Sequence, residues 1–153
     1  MKTIFETLEM NEIQRQVQGY CASTLGKKRV DNLVIFDDVE DLDEALEKVN
    51  EAMKLISIQG RMPLGGLSDI SLLLEGEDFL KVAHHLECIV SVKNYILASE
   101  VKTHFLQDLC DGLVENQHLL NEIQRCILPD GSVGDHASDH LYSVRKKIHQ
   151  IQV

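Results

Sequence analysis

The sequence predicts an all-α protein, on three observations. Only 5 % of the residues are aromatic and Trp is absent, so the core must be built mostly from aliphatic side chains, which suit helix packing. The strand-like run Val34-Ile35-Phe36 is short and has no obvious pairing partner, so we interpret it as a packed connector. Apolar residues recur at spacings of three and four, the period of an amphipathic helix, as in Leu42, Leu46, Val49, Met53 and Ile56.

Three helices are predicted in the first half of the chain. The first covers residues 11–21 and has Ile13, Val17 and Tyr20 along one side. A brief second helix over residues 25–33 follows an N-cap at Ser23 or Thr24. The third, over residues 38–58, begins with acidic residues and ends at a glycine. We expect its apolar stripe to face the core and its opposite, mostly acidic face to meet water.

The second half contains the predicted central helix. After a loop over residues 61–67, a short helix is expected from Ser68 or Asp69 through Leu74. The next helix, over residues 77–99, is apolar on more than one side, which is typical of a helix packed by neighbours all round. Two shorter helices over residues 103–113 and 117–127 follow it.

The stretch after Arg125 predicts a change of structure and then a further helix. The helical pattern breaks at Pro129-Asp130-Gly131, and an Asp-Gly pair favours a tight turn because Gly accepts a positive φ. We therefore expect a small β-hairpin near residues 126–135. A new helix follows, N-capped by Asp135. It has no stop signal before Val153 and carries one apolar stripe, Leu141, Val144, Ile148 and Ile151.

Bulk properties narrow the classes of function. The 153 residues carry a formal net charge of −10, which argues against a nucleic-acid-binding module on its own, since affinity for DNA depends on Lys and Arg. We interpret the basic clusters 27–29 and 145–147 as solvated helix faces or as charges near a helix C-terminus that complement the helix dipole. The start of the chain has no signal peptide and no apolar run is long enough for a membrane span, so a cytoplasmic protein is expected.

No catalytic, cofactor-binding or metal-binding residue is predicted in this segment. The four cysteines are widely separated, which excludes a Cys-x-x-Cys site and indicates free thiols. The His136 and His140 pair lacks the further ligands and the signature of a zinc site. Residues 60–65 have the spacing of a phosphate-binding loop, but Gly66 and Leu67 stand where such a loop needs Lys and then Ser or Thr. We interpret this loop as a rigid turn at which Gly65 and Gly66 let the backbone approach another helix.

Four runs of sequence resemble a known family. They are the opening Leu8-Glu-Met-Asn-Glu-Ile13, the short run Thr24-Leu-Gly-Lys27, the loop Gly60-Arg-Met-Pro-Leu-Gly-Gly-Leu-Ser-Asp-Ile70, and a pattern between Ile123 and Arg145 that includes Asp130-Gly131 and Asp135. Together they closely resemble the N-terminal region of the MutS two family, a bacterial branch of the MutS superfamily of DNA mismatch repair proteins. The resemblance implies a helical core and connector domain over residues 1–135, similar to the MutS core, and the beginning of a long lever helix over residues 136–153.

The resemblance also implies a function for the longer parent protein. Such a parent would be a homodimeric ATPase that uses ATP and Mg²⁺, with a clamp between its levers and often an Smr domain with endonuclease activity. It would act on branched DNA, suppressing recombination, or on stalled ribosomes. This segment would be no enzyme itself and would contact the ATPase and clamp domains. Its structural or coupling residues would be Arg61, Pro63, Gly65, Gly66, Asp69, Asp130, Gly131, Asp135 and Ser138.

The alternative is a freestanding helical adaptor. An unpaired apolar stripe such as that on the last helix commonly forms a coiled coil or a partner interface. In this interpretation the protein would bind a protein partner through its C-terminal helix.

Overall fold

The computed structural model describes residues 8–71 and 78–151. Within these residues the chain is helical, as expected, with no regular β-sheet. Of the short helix predicted from Ser68 or Asp69 through Leu74, residues 68–71 are not helical, and residues 72–74 lie outside the described residues. The α-helices are α1 (Met10–Tyr20), α2 (Thr24–Asp31), α3 (Val39–Gln59), α4 (Phe79–Leu97), α5 (His104–Asp111), α6 (Gln117–Cys126) and α7 (Asp139–Ile151), with a 3-10 helix at Asp135–Ala137.

Helix α4 lies at the centre of the fold. Its buried residues contribute to two apolar clusters. One contains Val92 and Ile96 together with Leu55 of α3 and Cys110 of α5. The other joins the N-terminal half of α4 to Leu120 and Ile123 of α6. The prediction of a central helix, made from its apolar breadth, is confirmed.

Helix α3 meets the core through a different face from the predicted one. Every residue of its apolar stripe, from Leu42 to Ile56, is 40–63 % exposed, and Leu55 is the one buried residue of the helix. Leu55 lies across the helix from the stripe. The expectation that the stripe faces the core is therefore wrong, because α5 and the central helix pack against the opposite face.

Helices α1 and α2 pack against each other near the start of the chain. The Gln14 side-chain amide donates to the Val30 carbonyl at 3.1 Å, and Ser23 caps α2 by accepting from the Gly26 amide at 3.1 Å. The connector at residues 34–36 that follows has no strand structure, as expected. It is exposed, however, so the prediction that it is packed is wrong.

The prediction of a β-hairpin near residues 126–135 is wrong: this stretch forms no strands and has one isolated antiparallel bridge, between Ile127 and Val133. The Gly131 amide donates to the Leu128 carbonyl at 2.8 Å, and Gly131 has the expected positive φ of 83°. A turn therefore forms with Pro129 in its second position, which Pro favours. No second bridge follows, because the 3-10 helix begins two residues after Val133 and ends the extended backbone.

None of the helices in the described residues is both long enough and apolar enough to cross a membrane.

Candidate functional site

The residues predicted for coupling lie in two connections between helices. Arg61, Pro63, Gly65, Gly66 and Asp69 belong to the α3–α4 loop, which we define as residues 60–71. The others belong to the α6–α7 junction, defined as residues 127–138, and they are Asp130, Gly131, Asp135 and Ser138.

The α3–α4 loop is hydrogen-bonded along one side of α4. The Tyr95 hydroxyl donates to the Gly60 carbonyl at 2.5 Å, and the Cys88 thiol donates to the Pro63 carbonyl at 3.0 Å. Further along, the Ser68 amide donates to His85 Nδ1 at 3.4 Å. As the loop proceeds, its partners move toward the N-terminus of α4. The loop therefore runs antiparallel to the central helix.

Gly66 allows the loop to approach this helix closely. A Cβ atom at Gly66 would lie 3.0 Å from both the Cys88 Cβ and the His84 carbonyl oxygen, a distance tighter than ordinary van der Waals contact. A Cβ atom at Gly65 would meet nothing within 4 Å. The approach to another helix predicted for both glycines is thus found at Gly66 alone.

Asp69 ties the α3–α4 loop to α2. Its carboxylate lies 2.8 Å from Lys28 Nζ and accepts from the Ser71 amide and hydroxyl. The Lys28 hydrogen bond, followed by those from Ser71, holds the pKa of Asp69 well below its usual range. The Lys28–Asp69 pair is thus a polar link between the α1–α2 pair and the α3–α4 loop. Arg61, at the other end of the loop, is exposed.

Helix α5 receives its N-terminal cap from a distant helix. Glu51 of α3 accepts from the His104 amide at 2.7 Å and from the Leu106 amide at 3.1 Å. Desolvation, the largest single influence, raises the pKa of Glu51, but the backbone N–H bonds of residues 104–106 outweigh it and lower the pKa. A carboxylate here also complements the helix dipole. Thr103, the local N-cap residue, makes no side-chain cap bond.

The Glu51 cap should make the free energy of unfolding depend on pH. We expect Glu51→Gln to lower the free energy of unfolding at neutral pH by about 0.5–1 kcal/mol. Because the folded-state pKa of Glu51 is lowered, the wild-type advantage is complete above the ordinary value of 4.5 and declines as the pH falls through the folded-state pKa. Urea denaturation of both proteins across this pH range measures the difference.

Glu47→Gln, one turn earlier on α3, is the control for that measurement. Within the described ranges the Glu47 side chain has no hydrogen bond, so this change should leave the stability within about 0.5 kcal/mol of wild type at every pH. An equal loss in both variants would mean that general surface charge, and not the cap, is responsible.

Two guanidinium groups hold the α6–α7 junction, one from each flanking helix. Arg125 of α6 donates to the carbonyls of His136 and Ala137. Arg145 of α7 donates to the Val133 carbonyl at 2.9 Å and to the Asp135 carboxylate at 2.5 Å. The junction is thus bonded both to the helix that precedes it and to the helix that follows it.

The N-cap role that was predicted for Asp135 belongs to Ser138. The N-cap of α7 is Ser138, whose hydroxyl accepts from the Leu141 amide at 3.1 Å, and the prediction that Asp135 caps this helix is wrong. Asp135 lies in the 3-10 helix and pairs with Arg145 instead. Within the turn, Asp130 accepts from the Ser132 hydroxyl and amide, and these bonds lower the pKa of Asp130.

Removing the cap at Ser138 should fray the start of the last helix. We expect Ser138→Ala to cost about 1 kcal/mol and to increase amide hydrogen exchange in the first turn of α7. Ser143→Ala is the control, because the Ser143 hydroxyl donates to the His140 carbonyl within the same helix and caps no free amide. Equal exchange in the two variants would contradict the assignment of Ser138 as the cap.

Sequence reasoning missed Glu51, Arg125 and Arg145. Glu51 lies on the face of α3 expected to meet water, and Arg145 belongs to a basic cluster interpreted as solvated. Their partners lie 10 to 55 residues away, so no local spacing could indicate these bonds. Arg125 and Arg145 belong to the sequence pattern that resembles the family, but no structural role was predicted for either residue.

The described residues offer no metal centre. Within the two described ranges, no three His, Cys, Asp or Glu side chains are grouped to hold an ion. His136 stacks on the Tyr142 ring, with centroids 5.7 Å apart. Most of the polar contacts at both connections join a helix side chain to a backbone group of the connection, which positions the helices.

Comparison with curated proteins finds relatives that share one name. The chain is 31 % identical over 158 residues to the Endonuclease MutS2 of Clostridium botulinum strain Eklund 17B, a match that covers 96 % of this chain. It is 30 % identical over 161 residues, 97 % of this chain, to the Endonuclease MutS2 of Bacillus mycoides strain KBAB4. Over nearly its whole length the chain is consistent with a region of MutS2-family proteins. It spans about a fifth of the length of these MutS2 relatives, 20 % in both cases.

No family model matches the chain. The resemblance to MutS2 stated from the sequence is confirmed by the relatives. Of the four MutS2-like runs, one lies in the α3–α4 loop and another includes the α6–α7 junction. Two of these runs therefore lie where the structure fixes helices relative to one another.

Proposed function

We propose that this chain is the N-terminal core and connector region of a longer MutS2-like protein, in which it couples an ATPase to lever helices. The observation that carries the proposal is the bonding of the α6–α7 junction by Arg125 and Arg145. The similarity to proteins about five times longer supports the idea that the ATPase lies elsewhere in the parent.

Coupling requires a stiff connection between the core and the last helix. Helix α7 has no buried residue, so its direction depends on Ser138, on Arg145 and on the junction they contact. Arg125, which bonds to the junction, belongs to α6. This helix packs on the central helix through Leu120 and Ile123. Packed helices move as rigid bodies where a flexible linker would absorb the motion. A change at α7 thus reaches the core.

The parent's activities follow from the family. We propose a cytoplasmic homodimer that binds ATP and Mg²⁺ and acts on branched DNA or stalled ribosomes, with endonuclease activity as the relatives' name states. This segment would hold neither ATP nor a metal ion. Its net charge of −10 favours nucleic-acid contacts made by other domains, because an acidic surface repels phosphates.

The experiment is a measurement of coupling in the full-length parent. The variant Arg145→Gln removes the bonds to Val133 and Asp135 while the buried core stays unchanged. We expect ATP turnover without nucleic acid to stay the same and its stimulation by branched DNA or ribosomes to fall by about tenfold, the loss of about 1.4 kcal/mol of coupling free energy. Lys146→Gln is the control, since it removes a neighbouring positive charge and leaves the two Arg145 bonds in place.

Two results would contradict the proposal. Equal stimulation in wild type and Arg145→Gln would show that the junction carries no coupling. The proposal would also be contradicted if the flanking coding region encoded no Gly-x-x-x-x-Gly-Lys-[Ser/Thr] loop, because the parent would then lack the phosphate-binding loop of an ATPase.

The adaptor is the second candidate. The exposure of Val144, Ile148 and Ile151 on α7 favours it, because an adaptor needs an uncovered apolar stripe. If the flanking coding region lacked an ATPase, the adaptor would become the first candidate.

A further inference from the structure

Helix α3 presents an uncovered apolar seam with coiled-coil spacing. The residues of this α3 seam follow one another at intervals of three, four, three, four and three, and they are Val39, Leu42, Leu46, Val49, Met53 and Ile56. All six are 40–71 % exposed. Alternating intervals of three and four define the a and d positions of a heptad, which pack against a second helix. The seam therefore has the geometry to receive one further helix along the length of α3.

The two flanks of the α3 seam differ in character. With about 3.6 residues per helical turn, Glu40, Asp43 and Glu47 lie along one side of the seam, whereas Ala45 and Ala52 lie along the other. The three acidic side chains are exposed, and within the described ranges none of them forms an ion pair. The small side chains on the opposite flank let the backbone of a second helix come close.

The bases of α3 leave the acidic flank largely unbalanced. The helix contains six acidic and two basic residues. Lys48 Nζ lies 2.5 Å from the Glu44 carboxylate and 5.5 Å from the centroid of the Phe105 ring, so its charge is directed away from this flank. Lys54 is the other base and follows the three acidic residues toward the C-terminal end. The N-terminal part of the seam thus combines exposed apolar side chains with uncompensated negative charge.

A cleft adjoins the acidic flank between α3 and α5. It has a volume of about 320 Å³ and is lined by Glu47, Asn50, Glu51, Lys54 and Phe105. The Glu51 carboxylate is occupied by the α5 amides. A long basic side chain that crosses the flank can place its aliphatic stem against Phe105 and its charge beside Glu47. The cleft therefore favours a partner that carries Lys or Arg next to its apolar stripe.

Charge decides among the possible occupants of the α3 seam. An acidic flank repels the phosphates of nucleic acids and of anionic lipids, and a second α3 helix would bring like charges together. A basic amphipathic helix supplies both an apolar stripe and positive charge. Complementary charge speeds the capture of a diffusing partner and selects it among competitors, whereas a tethered segment is already present at high effective concentration. The flank is therefore suited to a separate protein.

We propose that α3 is the docking site for a basic amphipathic helix of a separate protein. The seam supplies the apolar contact, and Asp43 and Glu47 select basic residues beside the partner's apolar stripe, as flanking charges do in coiled coils. Docking at α3 needs neither an ATPase nor a lever, so it does not rest on the proposed function, and it uses a different helix from that of the adaptor.

The test is the binding of a fluorescent three-heptad helical peptide to the 153-residue chain, measured by anisotropy. The peptide has Leu at its a and d positions and Lys at its e and g positions, and a second peptide has Glu in place of Lys. We expect the Lys peptide to bind at least about tenfold more tightly, and to bind less tightly as salt is raised. Val49→Asp should weaken its binding by about tenfold or more. Leu109→Asp, at an exposed apolar position on α5, is the matched control and should leave binding unchanged.

Reversing the charge of the flank identifies it as the contact. The double variant Asp43→Lys, Glu47→Lys should prefer the Glu peptide to the Lys peptide, a reversal that a damaged fold would not produce. If Val49→Asp loses its helical circular dichroism signal, Val49→Ser replaces it. Equal binding of the two peptides by wild type, or an unchanged preference in the double variant, would overturn the proposal.

Two further results would assign the α3 seam to a different occupant and would also overturn the proposal. Binding of the Lys peptide to the 153-residue chain but not to the full-length parent would mean that another segment of the parent covers α3. A wild-type dimer in sedimentation equilibrium that Val49→Asp dissociates would mean that a second copy of the chain covers it.

Discussion

Replacing Leu55 by alanine is expected to lower the free energy of unfolding by about 2–5 kcal/mol. Leu55 is fully buried, with 0 % of its surface exposed, among Cys88, Val92, Ile96 and Cys110. Truncation removes the apolar contacts of its side chain and leaves a cavity that the surrounding helices cannot fill completely. Equilibrium urea denaturation, followed by circular dichroism, measures the loss.

The control for Leu55 lies on the same helix. Leu46→Ala removes the same atoms from a residue that is 50 % exposed, so the expected loss is below about 1 kcal/mol. Both substitutions have the same helix propensity change, so the difference between them isolates burial. Equal losses would contradict the orientation of α3, because they would place the apolar stripe, and not Leu55 alone, in the core.

Replacing Gly66 by valine is expected to cost about 1–3 kcal/mol. A Cβ atom at this position already lies 3.0 Å from the His84 carbonyl, a backbone atom that cannot rotate away. The larger side chain must push the α3–α4 loop off α4, which would lengthen the bonds from Cys88 and Ser68. We expect the midpoint of thermal unfolding to fall by about 2–10 °C.

Gly65→Val is the matched control for Gly66→Val. The two glycines are neighbours with the same loss of chain flexibility, but a Cβ atom at Gly65 meets nothing within 4 Å. Its thermal midpoint should stay within about 2 °C of wild type. A larger fall at Gly65 than at Gly66 would show that the loop is not held against α4 in the way described.

Periodicity predicted where the helices are but not which face of α3 is buried. The stripe from Leu42 to Ile56 is the strongest apolar pattern in the first half of the chain, and it predicted the helix correctly. Burial depends on what packs nearby, however, and the described core meets α3 at Leu55, a position outside the stripe. A heptad seam and a core-facing stripe look alike in one sequence, because both repeat at intervals of three and four.

The turns of the candidate site could be predicted from the sequence, but its hydrogen bonds between distant residues could not. Gly131 has the predicted positive φ. This feature was predictable because a tight turn is formed by four consecutive residues. The pairing of Arg145 with Asp135, and the cap from Glu51, join residues that only the folded chain brings together. Even so, the roles of the predicted coupling residues remain predictions until the variants are measured.

The cap supplied by Glu51 also constrains the order in which the chain folds. Helix α5 has eight residues, and a helix this short is unstable in isolation because nucleation is costly. Its cap comes from a residue 53 positions earlier, so the stabilising carboxylate arrives only when α3 docks. Helix α5 therefore gains its stability late, together with tertiary contact, and a nascent chain would hold α3 and α4 before this segment becomes helical.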